Sequence, residues 1–126
     1  MTQPIVFISH SSIRDGRVEG FRDFIRRGAP MLEAEKPGTV AFLVYLDEDG
    51  SQASIVHVFP NDAAMSAHLE GVQERSAEAE AFIRTTAYEI YGSPDPNVVQ
   101  MMRAFAERSG VPLTVHPEHV GGYLHP

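Results

Sequence analysis

A chain of 126 residues, 43% of them hydrophobic, is long enough to bury one substantial core without disulfide or metal staples. It contains no cysteine, which excludes a disulfide scaffold, a thiolate zinc site and a cysteine nucleophile. Ten Lys and Arg against seventeen Asp and Glu leave a net charge of −7, which argues against nucleic-acid partners. The longest early apolar run, Ile5–Ile8, is too short for a secretory signal or a membrane span, so a cytoplasmic protein with no membrane partner is expected.

In chain order, Ile5-Val6-Phe7-Ile8 is β-branched and aromatic and predicts a buried strand. Phe21, Phe24, Ile25, Gly28 and Leu32 then share one helical face, with Arg22, Asp23, Arg26 and Arg27 largely opposite. Pro30 brings no N–H and crowds the preceding turn, so this helix is expected to break or kink near Gly28-Ala29. Pro37-Gly38 marks a turn, Thr39–Leu46 reads as a strand, Asp47–Gly50 as a hairpin and Ala53–Phe59 as the returning strand. Pro60-Asn61-Asp62 opens the next helix, with Asn61 or Asp62 as N-cap and Ala64, Met65, His68, Leu69 and Val72 along it. Gly71 and Ser76 are expected to divide it before a last stretch, Ala79–Arg84, and Thr85–Tyr91 gives a fourth strand.

Residues 1–92 therefore read β-α-β-β-α-β, an α+β order that suits a ferredoxin-like antiparallel sheet with two helices on one face. Residues 93–126 read as an extension of the same domain. Asp95 caps a third helix with Pro96 at its first position, Val98, Met101, Met102 and Phe105 line its apolar side, and Gly110 ends it. Val111–Val115 reads as an edge strand, which tolerates Pro112, and a tail follows from His116.

The strand pattern carries a further message. Val40, Phe42, Val44 and Leu46 lie on one side of the second strand, and Ala41, Leu43 and Tyr45 on the other; Tyr88 and Ile90 likewise oppose Ala87 and Tyr91. A sheet with one solvated face alternates apolar with polar, and this one does not. Two helices cover one face only. The second face is expected to be covered either by the sheet of a second copy, giving a homodimer, or by the third helix folding back in a monomer.

Several stretches together resemble the antibiotic biosynthesis monooxygenase-like family: Glu33-Ala34 through Pro37-Gly38 leading into Val40–Leu46, the Asp47–Gly50 hairpin, Val56–Phe59 running into a short break, and Ala67-His68-Leu69. The resemblance covers residues 4–91. It implies a ferredoxin-like subunit, a dimeric α/β barrel built sheet to sheet, and a small cavity between sheet and helices. It further implies cofactor-independent chemistry on phenolic or quinol-type molecules, with haem degradation as another activity of the family. Phe59 stands at the strand–helix junction where the family's enzymes often carry Trp, and Ile5–His10 contains no Asn of the kind haem degraders use.

The histidines are the acid–base groups suited to neutral pH. His68, three residues after Met65, sits at the edge of its helix's apolar face. It reads either as a base on a cavity wall, deprotonating a phenolic substrate, or as a helix-boundary imidazole bonded to a carbonyl. His57 shares strand parity with Ala53, Ile55 and Phe59 and reads as a cavity group or a satisfied core imidazole. Tyr45, Phe42, Phe59 and Met65 complete the expected cavity, which would take a small aromatic or apolar ligand; no cofactor is expected. His116, Glu118, His119 and His125 lack metal-site spacing, so no metal is expected. The Arg14, Arg17, Arg22, Arg26, Arg27 group is interspersed with Asp15, Glu19 and Asp23 and reads as a solvated helix face.

Overall fold

A computed structural model describes residues 3–125. Its elements run β1 (Ile5–Ile13), α1 (Val18–Glu35), β2 (Ala41–Leu46), β3 (Gln52–Phe59), α2 (Asp62–Leu69), α3 (Val72–Ala79), β4 (Ile83–Tyr91), α4 (Pro96–Ser109) and β5 (Leu113–His116). The sheet order is β2-β3-β1-β4-β5, antiparallel except that β5 runs parallel to β4. The first four strands form the expected ferredoxin-like sheet, and the extension turns it into a mixed sheet of five.

Three local expectations need correction. β1 continues to Ile13, well beyond Ile8, although Ser9, His10, Ser11 and Ser12 show no apolar alternation. It is the central strand, and ladders to β3 on one side and β4 on the other hold its backbone whatever the side chains. Pro30 lies inside α1 without ending it. Both Pro30 and Arg26, whose carbonyl loses its donor, face solvent, where water satisfies the orphaned group. Gly71 does divide the second helical region, with φ at 80°, but Ser76 lies within α3, and β4 already begins at Ile83.

Helix ends follow the local chemistry. Asn61 caps α2 by accepting a hydrogen bond from the Ala64 N–H at 2.8 Å, and Asp95 caps α4 by accepting from the Asn97 N–H. Replacing Asn61 with Ala should lower stability by about 1 kcal/mol in urea denaturation, whereas Asn61→Asp should retain most of it.

The helices form a single layer on one side of the sheet. Met65 and Leu69 of α2 and Met102 and Ala106 of α4 pack with Ile5, Phe7, Phe59, Tyr88 and Ile90. Phe21 of α1 packs with Ala53 and Ile83 in a second, smaller cluster. The alternative in which the third helix covers the rear of the sheet therefore fails: α4 joins the helix layer. Val6, Ile8, Leu43, Tyr45, Val56 and Val58 face the other way, with Leu43 45% and Tyr45 58% exposed.

Candidate ligand site around His68

α2 is short, and its C-terminal carbonyls are gripped by two cations. Lys36 Nζ donates to the Ala67 carbonyl at 2.7 Å, and the Arg75 guanidinium donates to the carbonyls of Glu70 (2.8 Å) and His68. Positive charge at a helix C-terminus is favourable, and here it fixes the turn that carries His68. A 2.8 Å hydrogen bond joins His68 Nδ1 to Thr39 Oγ1 at the entry to β2. His68 as a whole is only 3% exposed.

His57 lies beside it. Its Nδ1–H donates to the Phe7 carbonyl across the β1–β3 ladder at 3.0 Å, which leaves Nε2 with its lone pair free. The two imidazoles meet edge to face with centroids 5.0 Å apart, and Phe42 and Phe59 close around them at 5.2–6.4 Å. Burial holds both rings neutral. It pushes His57 down to about 4, with the Arg75 charge adding to it. It pushes His68 down to about 3, helped by His57, Arg75 and Lys36.

A cavity of about 270 Å³ opens beside His68, lined by Ala29, Pro30, Leu32, Glu33, Lys36, Thr39, Val40, Ala41, Phe42 and His68. Of the residues expected at a cavity, Phe42 and His68 line it directly, and His57 sits next to both. Phe59 and Met65 are fully buried and serve as core behind the histidines. Tyr45 is a correction: it projects from the opposite face of β2, the parity that separates it from Phe42, and is not part of the site. Thr39, Lys36 and Arg75 were not foreseen, because each reaches α2 from another element and leaves no local spacing signal.

Two further groups of interest lie elsewhere. His116 stacks on Tyr91 at 4.6 Å at the sheet's far edge, and among the described residues no group of three or more His, Asp or Glu side chains has a metal-holding arrangement. On α1, Arg22 pairs with Glu19, and the Arg27 side chain donates to the Asp23 carbonyl. Among the described residues no helix is long and apolar enough to cross a membrane.

No protein-family model matches the sequence, and no curated protein matches it. Solved structures do. MupZ from Pseudomonas fluorescens superposes with a TM-score of 0.73 at 16% identity, over 96% of this chain and 95% of its own, so that likeness takes in the C-terminal extension. SnoaB from Streptomyces nogalater, a cofactor-independent oxygenase, gives 0.60 at 16% identity over 73% of this chain and 94% of its own. A provisionally assigned antibiotic biosynthesis monooxygenase from Bacteriodes thetaiotaomicron gives 0.57 at 13% identity, over 70% and 85%. The protein thus has the ferredoxin-like fold of the antibiotic biosynthesis monooxygenase-like proteins.

Proposed function

We propose that the protein is a homodimer that binds a small aromatic molecule of phenol or quinol type in the cavity before His68, and that it oxygenates that molecule without a cofactor. The observation that carries this reading is the cavity itself. The neutral His68 imidazole stands in the cavity wall beside Phe42 and Val40, with Thr39, Glu33 and Lys36 also lining it, where it can accept a hydrogen bond from a phenolic hydroxyl. The solved neighbours include a cofactor-independent oxygenase, which supports the reaction class.

The chemistry needs no reductant. A phenol such as 1-naphthol takes one atom of O2 at the ring carbon para to its hydroxyl and releases the other as water, giving the 1,4-quinone. The ring supplies the electrons once its hydroxyl proton is drawn away. Magnitudes limit what His68 contributes to that step. A phenolic proton of pKa about 10 lies roughly seven units above His68, so complete transfer in the resting complex costs about 9.5 kcal/mol. His68 therefore accepts a hydrogen bond rather than the whole proton, and the Lys36 ammonium in the cavity wall is the charge that favours the developing phenolate.

Calorimetric titration and oxygen uptake with 1-naphthol test the proposal. His68→Ala should weaken binding or kcat/KM at least about tenfold, the worth of one lost hydrogen bond to a charged or developing anionic group. Equal affinities and rates in both proteins would remove His68 from the site. A second reading, a ligand-binding or dimerisation module with no catalysis, is favoured by the low proton affinity of His68. Tight binding with no oxygen consumed would establish it.

A further inference from the structure

The turn between α1 and β2 is pinned to α2. The Thr39 N–H donates to the Lys36 carbonyl at 3.0 Å, which closes the turn over Pro37 and Gly38. Lys36 Nζ donates to the Ala67 carbonyl, and Gly38 passes so near Ala64 that a Cβ on it would lie 3.4 Å from the Ala64 Cβ. Between these contacts Thr39 Oγ1 meets His68 Nδ1 at 2.8 Å. A hydroxyl can play either part toward an imidazole nitrogen, and the choice decides what the other nitrogen offers. If Thr39 donates to Nδ1, the ring proton sits on Nε2 and His68 faces a ligand as a donor. If Nδ1–H donates to Thr39, Nε2 keeps its lone pair and His68 is an acceptor.

The surroundings select the second arrangement. Among the described residues Thr39 is the only hydrogen-bond partner of the His68 ring; His57 meets it edge to face, centroids 5.0 Å apart, without a hydrogen bond. A proton on Nε2 would be a donor that no group of the protein receives, in a residue only 3% exposed, and orphaned buried donors are rarer than spare lone pairs. With the proton on Nδ1 no donor is stranded, because Thr39 is half-buried in the cavity wall and its hydroxyl hydrogen is free to turn into the cavity. We infer that Thr39 sets the tautomer of His68 and thereby the selectivity of the cavity, which prefers an aromatic hydroxyl to the corresponding quinone. This rests on the ligand-binding reading above and specifies it: substrate is held, and oxidised product let go, at one nitrogen. Lys36 and the Thr39 hydroxyl can donate to the oxygens of either compound, but only a hydroxyl has a hydrogen to give Nε2. Thr39 is in this sense a positioning residue, acting through His68.

Calorimetry on the full chain in oxygen-free buffer at pH 7 compares 1-naphthol with 1,4-naphthoquinone. Nitrogen-15 spectra of the labelled protein show which nitrogen of His68 carries the proton. The wild type should bind the naphthol about tenfold tighter, the worth of one hydrogen bond, with the proton on Nδ1. Thr39→Ser keeps both results, whereas Thr39→Val moves the proton to Nε2 and brings the two affinities together. A wild-type ring protonated at Nε2, no preference in the wild type, or a preference that survives Thr39→Val overturns the inference. So does a preference lost in Thr39→Val with the proton still on Nδ1, which marks Thr39 as a packing residue. The wild-type spectrum and Thr39→Ser decide the matter even if Thr39→Val fails to fold. If 1-naphthol binds and His68→Ala weakens it while the wild-type ring is protonated at Nε2, the ligand-binding reading stands and this one falls; if neither compound binds, both fall.

Discussion

Acidification from pH 7 to pH 5 should cost the folded protein about 4 kcal/mol at fixed protein concentration. His57 and His68 are buried as neutral rings with pKa values near 4 and 3, whereas in the unfolded chain each titrates at 6.5. The sign follows directly. Below 6.5 the unfolded state binds protons that the folded state refuses, so the stability is complete above that pH and drains away as pH falls toward the folded values. At pH 5 each ring accounts for about 2 kcal/mol. Glu89, held below the usual carboxylate range by hydrogen bonds from Tyr91 and His10, loses its share only below its ordinary 4.5, so the two windows separate. Urea denaturation at pH 7, 6 and 5 measures the loss, and His68→Asn, which removes one of the two proton-binding rings, should roughly halve it. A stability constant across that range would mean that water or an anion reaches the pair.

The same histidines show what local sequence can and cannot convey. Parity placed His57 on the covered face of β3, and helical spacing placed His68 at the edge of α2's apolar side, so both were legible. So were the Asn61 and Asp95 caps and the Gly110 stop, because each depends on residues within one turn. The parity that separates Tyr45 from Phe42 was equally present in the strand, and it places Tyr45 outside the site. What stayed hidden is long-range. Thr39 meets His68 across 29 residues, and Lys36 and Arg75 converge on α2 from either side. Ser9–Ser12 form strand because two neighbours hold their backbone, which no pattern within β1 reveals. The helix layer taken by α4 was equally beyond reach, since an apolar stripe fits either face of a sheet.

That placement of α4 sharpens the expectation for assembly. With all the helix packing on one side, Val6, Ile8, Leu43, Val56 and Val58 form an apolar rear surface that each isolated chain leaves to water. Covering a large apolar side chain is worth about 1.5–3 kcal/mol, and a two-fold interface counts every residue twice. Across this surface runs a polar row: Ser54 and Glu89 both bond to His10, and the Tyr91 hydroxyl donates to Glu89 at 2.5 Å. These groups satisfy one another within the chain, so a second sheet laid over them leaves no polar atom stranded. Light scattering on the wild-type protein should give twice the 13.9 kDa chain mass. Leu43→Glu should yield a folded monomer, because Leu43 is 45% exposed in the single chain and lies on this apolar rear surface. Two carboxylates trapped per dimer, at several kcal/mol each, raise the dissociation constant by more than about 10⁴-fold. A wild-type monomer, or a Leu43→Glu variant that still sizes as a dimer, would place the contact elsewhere, and the exposed rear of the sheet would then need another occupant.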